Sequence, residues 1–215
     1  MNADYGLGRI IAQDDRDHKF LMAAVIANKP TPAYRYLRTG AVLDQGTTSS
    51  CVGHAWAGFL MAAPTMTRNV DPFDLYHGAQ RNDEWDGEQY DGSSVRGGAK
   101  YLQDQGRLSS YVWAFEAQTV ADFILAGHGT VVVGTNFYDQ MFRPDTHGFV
   151  QPFGRIVGGH AYLLCGYSRT RGVFRIQNSW STAWGEHGRA WITGEHMDAL
   201  IRSDGEACAA VEVRT

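Results

Sequence analysis

The spacing of apolar and polar positions changes rhythm about halfway along the chain. In the first half the apolar residues come at helical intervals. Val52 to Ala63 carries few charges and good helix formers, which predicts a buried helix from Cys51 to about Ala62, stopped near Pro64. Asp71-Pro72 reads as an N-cap followed by a proline at the first helical position, opening a helix to about Arg81. Ser94 to Gln105 repeats the pattern and ends at Gly106, and the polar, glycine-marked stretch from Asn82 to Gly92 between them reads as a loop. Ahead of all these, Asp14 to Asn28 fits one helix, acidic in its first turn and with Pro30 just past its end. Up to about Trp113 the chain reads as mostly helix.

The second half is different. A short helix is expected over Thr119–Ala126, then a β-branched strand over Thr130–Gly134. Phe137 to Gly154 holds two prolines and several aromatics and reads as a long loop with one strand at most. Tyr162–Tyr167, Val173–Asn178 and Arg189–Thr193 read as strands of one antiparallel sheet, followed by a helix over Glu195–Ile201 and a closing strand over Cys208–Val213. Helices first and strands second imply the α+β class. The expected division is an N-terminal extension over 1–30 packed on the body, a mainly helical part over 31–118 and a β-rich part over 119–215.

Candidate chemistry sits where the first buried helix begins. A glycine and four small hydroxyl residues, Gly46 to Ser50, lead into Cys51. A helix N-terminus carries unpaired N–H groups and partial positive charge, so a thiol there ionises more easily, and the thiolate is the nucleophile. Gln45 can turn a side-chain amide toward the same point, which supplies half of an acyl-transfer site. A small buried cysteine capping a core helix would leave the same trace. His54, one helical turn after Cys51, is either a core or groove-lining histidine or a second base beside it.

Two further stretches change that balance: Gly158-Gly159-His160-Ala161 at the head of an apolar run, and Asn178-Ser179-Trp180 followed by Trp184-Gly185-Glu186-His187-Gly188. With Gln45 and Cys51 ahead of them, the chain resembles the papain-like cysteine proteases over roughly residues 31 to 213, a family whose distant Cys, His and Asn make one site. The resemblance implies a two-lobed fold, with a helical N-terminal lobe, an antiparallel sheet or barrel in the C-terminal lobe, and the active site in the cleft between. It implies Cys51 as nucleophile, His160 as its proton partner, Asn178 as the group orienting His160, and Gln45 in the oxyanion hole. Trp180 would shield the Asn178–His160 bond and Trp184 would line the leaving-group side. Gly92 and Ser93 fall where the family pairs with an extended substrate backbone, Ser93 replacing a glycine. The chain departs from the family in four further places: Thr48 replaces a disulfide cysteine, Val52 the usual tryptophan, His54 a phenylalanine, and Ser181 a glycine. The extension is also shorter than the family's inhibitory propeptides, so packing on the body is its expected role.

The totals narrow the classes. The chain has 215 residues, 44% of them hydrophobic and 20% charged, and a net charge of -4, which argues against a nucleic-acid surface. Three widely spaced cysteines give no disulfide framework and no zinc spacing; Cys165 and Cys208 read as core thiols. No metal or other cofactor is expected, nor a signal peptide or membrane span, and a cytoplasmic or virion-associated location fits. The function expected is a cysteine peptidase acting on peptide or protein substrates. Two alternatives share the same residues: a structural or binding protein on this scaffold, held in a larger assembly such as a phage virion through its N-terminal extension, and a related amidase or acyl transferase.

Overall fold

The computed structural model describes residues 5–26 and 30–211. After the N-terminal segment, β1 (Tyr34–Tyr36) leads to three helices, α1 (Cys51–Leu60), α2 (Pro72–Asn82) and α3 (Val95–Asp104). Then come β2 (Tyr111–Ala114), α4 (Ala117–Ala126), β3 (Val131–Tyr138), β4 (Ile156–Ser168), β5 (Val173–Gln177), β6 (Arg189–Thr193), α5 (Gly194–Arg202) and β7 (Glu206–Ala210). The seven strands form one antiparallel sheet in the order β2-β7-β3-β4-β5-β6, with β1 paired to β4. The fold is α+β, with helices α1 to α3 falling between β1 and the other six strands in the chain.

All ten residues of α1 are buried, as a helix without a single charge requires. Trp56 is its anchor: it is fully buried, and its indole N–H donates to Val95 O of α3 at 3.0 Å. Trp56→Ala should lower stability by about 3–5 kcal/mol, read from the midpoint of a urea transition. The Asp71 carboxylate caps α2 by accepting from Phe73 N, with Pro72 at the first helical position, and the Ser94 hydroxyl caps α3 by accepting from Gly97 N. These caps fix where α2 and α3 begin, and therefore where the 82–93 loop returns to the cleft.

The structure differs from the pattern in three places. Residues 14–26 form two short 3₁₀ turns, Asp15–Lys19 and Met22–Val25, in place of one helix; Asn28 lies outside the described residues. The segment is drawn out by its partners: Asp17 pairs with Arg96, Phe20 O accepts from Trp113 N at 2.8 Å, and Met22 is fully buried. Tyr111–Ala114 is a strand because all four of its residues pair with β7. Strand β4 begins at Ile156, well before Tyr162, because its first half pairs with Gly134–Tyr138 of β3. His160 therefore sits inside a strand, opposite Thr135.

Candidate active site

Cys51 is the first residue of α1 and is fully buried. Its Sγ accepts from Ala161 N–H at 3.4 Å, so the thiol lies against the strand residue that follows His160. His160 is also fully buried. Asn178 Oδ1 lies 2.8 Å from His160 Nε2 and also accepts from Ser179 N–H at 2.8 Å, which identifies that atom as the amide oxygen. Nε2 therefore carries the ring proton and Nδ1 keeps a lone pair. Among the described residues Nδ1 has no hydrogen-bond partner. Trp180 stacks on the imidazole at 4.5 Å and Phe137 meets it edge-on at 5.0 Å, so one ring face and one edge are closed to water.

Gln45 is positioned from both ends. Its backbone N–H donates to Ser179 O at 2.9 Å, and its Oε1 accepts from Ser179 Oγ at 2.7 Å. The amide nitrogen is thus turned toward the cleft, where it donates to Gly6 O at 3.1 Å as well as to Thr48 O at 2.8 Å. The structure brings Gln45, Cys51, His160 and Asn178 together. His54 points elsewhere: its Nδ1 is 3.0 Å from Ser50 O, its ring meets Phe73 edge-on, and burial pushes its pKa down. Ser181 adopts a left-handed backbone at φ 58°, the conformation that glycine enters freely, and its Oγ accepts from Ala183 N–H at 3.2 Å. The turn after Trp180 therefore keeps a glycine-type backbone without glycine.

The cleft is occupied by residues 5–10 of the chain itself. Tyr5 stacks on Trp180 at 4.6 Å. Gly6 N–H donates to Gly46 O, and Gly6 O accepts from both Gln45 Nε2 and Trp180 Nε1. Gly8 and Arg9 N–H groups both donate to Gly159 O at 3.0 Å. Ser93 N–H donates to Gly8 O and Ile10 N–H donates to Ser93 O, each at 2.9 Å. Residues 5–10 thus run between the 45–49 segment and the Gly158-Gly159 segment, over Cys51. A Cβ on Gly6 or Gly8 would overlap the carbonyl oxygens of Thr48 and Ser49, so this strap fits because both positions are glycine. Tyr5-Gly6-Leu7-Gly8 carried a faint signal for this, two glycines on one face of an extended run. It gains meaning only once the 48–49 wall is known.

Ser93, more than Gly92, supplies the backbone pairing in the cleft. Gly92's own N–H and C=O are held by Tyr76 Oη at 3.0 Å and Gln80 Nε2 at 3.2 Å, partners the sequence pattern did not single out. Trp184 stands edge-on to Trp180 at 5.7 Å. It lines an open cavity of about 830 Å³ together with Tyr5, Phe142, His147 and His187.

Sealing decides the ionisation state. Burial pushes the Cys51 thiol up to about 12, with the Ala161 N–H bond opposing, and pushes the His160 imidazolium down to about 4 against the Asn178 bond. At pH 7 with the strap in place both groups are neutral.

A model described as papain family cysteine protease matches residues 96–205, a span that contains His160 and Asn178 and leaves Gln45 and Cys51 outside. Cathepsin B-like cysteine proteinase 5 of Caenorhabditis elegans is 31% identical over 91 residues, covering 41% of this chain and 26% of that protein's length. Among solved structures, xylellain, a cysteine protease from Xylella fastidiosa, superposes with a TM-score of 0.74 at 18% identity, covering 100% of this chain and 98% of that one. Digestive procathepsin L 3 of the Tenebrio molitor larval midgut gives 0.68 at 16% identity, covering 98% and 77%.

Proposed function

The chain belongs to the papain family of cysteine proteases, and on that premise we propose that it is a cysteine peptidase whose N-terminal strap holds it latent. The observation that carries this reading is the fixed His160 tautomer beside a buried thiol: Nε2–H on Asn178 and a free lone pair on Nδ1. Once the strap lifts, Nδ1 takes the thiol proton, and the thiolate attacks a peptide carbonyl held by Gln45 and the Cys51 N–H. The imidazolium then protonates the leaving amine, and water releases the acyl group from Sγ. Substrates are peptides or proteins bound through their backbone, with the acyl side along Ser93 and the leaving side past Trp180 and Trp184. The strap runs the other way, from Trp180 toward Ser93, so it fills the cleft without presenting a bond for cleavage.

The same groups serve acyl transfer to other amines, and the assembly reading also finds a physical form. A partner that draws residues 5–10 off the cleft would be an activator. Three free cysteines suit a reducing cytoplasm or an assembled particle; no helix among the described residues is long and apolar enough to cross a membrane.

The test is an acid-quenched reaction with a mixed peptide library, after strap release. New peptide termini and a transient acyl adduct on the peptide that contains Cys51 are expected. Absence of both, with a thiol that alkylates readily, would overturn the peptidase reading.

A further inference from the structure

Arg9 turns from the strap into the body. Its side chain is fully buried; Nε donates to Glu206 Oε2 at 2.9 Å, and Nη2 donates to Asp204 O. Glu206 opens β7 with its side chain 5% exposed. The pair is poorly satisfied: Glu206 Oε1 and Arg9 Nη1 are both buried without a partner among the described residues. Beside them lies a cavity of about 360 Å³ under the N-terminal segment, lined by Asp14, Asp17, Trp113, Arg202 and Glu206. A second anchor crosses the same interface, where Arg96 of α3 pairs with Asp17 and donates to Ala12 O at 3.2 Å. Among the described residues no hydrogen bond or ion pair joins these groups to Cys51, His160 or Asn178; the Arg9 charge acts on Cys51 only at a distance, opposing the rise of its pKa.

We propose that the Arg9–Glu206 pair is a releasable latch, outside the catalytic set, that fixes how tightly residues 5–10 close the cleft. The inference deepens the latent-peptidase reading and rests on it for the meaning of closure. A buried guanidinium is tolerated only while hydrogen-bonded, and Glu206 accepts from it whether or not its carboxyl carries a proton; a pair with two unused polar atoms holds geometry at little net gain. Such an anchor fixes the strap's register over Cys51 and lets go without a covalent step. The strap's other contacts, the Tyr5–Trp180 stack and the backbone hydrogen bonds of residues 6 to 10, carry no charge that could be switched.

The latch also responds to pH. Glu206 is faced by Arg9 from the strap, Asp17 from the first 3₁₀ turn, Arg96 from α3 and Cys208 along β7; His18, Asp14, Asp15 and Arg202 line the rest of the cavity. Burial raises the Glu206 carboxyl to about 7, with Arg9 opposing, and burial raises Asp17 as well. Asp14 is lowered, first by Arg16 of its own segment, a contact that docking leaves unchanged. Lifting the strap returns water to Glu206. The docked form therefore holds the proton more tightly: docking is strongest below the ordinary carboxylate range and weakens as pH rises through about 7.

The experiment measures iodoacetamide alkylation of Cys51 in the full chain from pH 5 to 9, for the natural protein, Glu206→Gln and Arg9→Met, with intact mass confirming an uncut strap. Arg9→Met should alkylate faster on the order of tenfold or more at the alkaline end of the range, where it leaves the ionised Glu206 carboxylate without its partner. The rate ratio of the natural protein to Glu206→Gln should climb through about pH 7, since the ratio cancels the thiol's own titration. An Arg9→Met rate equal to the natural one, or a flat ratio, overturns the latch. Thermal melts of both variants separate a loosened strap from a failed fold. Alkylation needs no turnover, so the two proposals fail separately. A Cys51 exposed by Arg9→Met that cuts nothing sinks the peptidase reading alone; peptide cleavage alongside a sealed Arg9→Met sinks the latch alone.

Discussion

Gly8→Ala is expected to raise the alkylation rate of Cys51 at pH 7 by about a hundredfold or more, and to bring peptide cleavage with it. The substitution leaves the body of the protein untouched. A Cβ at position 8 meets the Ser49 carbonyl oxygen, which is backbone and cannot yield as a side-chain end would, and the residue's φ of 147° adds strain for any L side chain. The strap must leave, and with it goes the cause of the two displaced ionisations. In the closed form the thiol stays protonated until about pH 12 and the imidazole stays neutral down to about 4. With water admitted, the thiol falls back toward roughly 8.5 and then below it, drawn by the helix N-terminus and by a chargeable His160. The midpoint of alkylation against pH should therefore move down by several units, with buried Cys165 and Cys208 as internal controls that do not move. Gly6→Ala, which meets the Thr48 oxygen, should act in the same direction. A Gly8→Ala protein with an unchanged midpoint would mean that the strap does not seal the thiol.

The candidate site residues were legible because each stands in a local pattern. An uncharged run after small hydroxyl residues marks α1 and its first residue; Gly-Gly-His and Asn-Ser-Trp mark their strands without reference to anything distant. What the pattern could not carry was the state of those residues. Helix-start reasoning gives Cys51 a low pKa, and burial under a segment some forty residues earlier in the chain reverses the sign. The strap itself is written in glycines whose purpose lies in walls some forty residues later. Four residues of β2 are too few to overrule a helical context until β7 pairs with them. Ser181 shows the converse, since a turn that favours glycine is held by a serine whose hydroxyl accepts from a nearby N–H. The acidic run at residues 14–17 suggested a helix start, and two of its carboxylates serve instead to reach Arg96 and Arg16.

Cys51→Ala, placed in the Gly8→Ala background, is expected to lose turnover by on the order of 10⁶ in kcat, the scale seen when a triad loses its nucleophile. The open background matters, because a latent natural protein would make the loss invisible. The fold should survive. In the open background the change removes one sulfur atom and leaves Ala161 N–H to water, a cost of about 1 kcal/mol. Tyr5 should still be displaced from Trp180, so Trp180 fluorescence should match that of the Gly8→Ala parent while cleavage disappears. That combination separates the thiol's chemistry from the strap's position. Residual cleavage close to the parent's would move the nucleophile elsewhere. A variant that loses activity and also regains the closed fluorescence would show that Cys51 acts on the strap, leaving its part in bond cleavage without support.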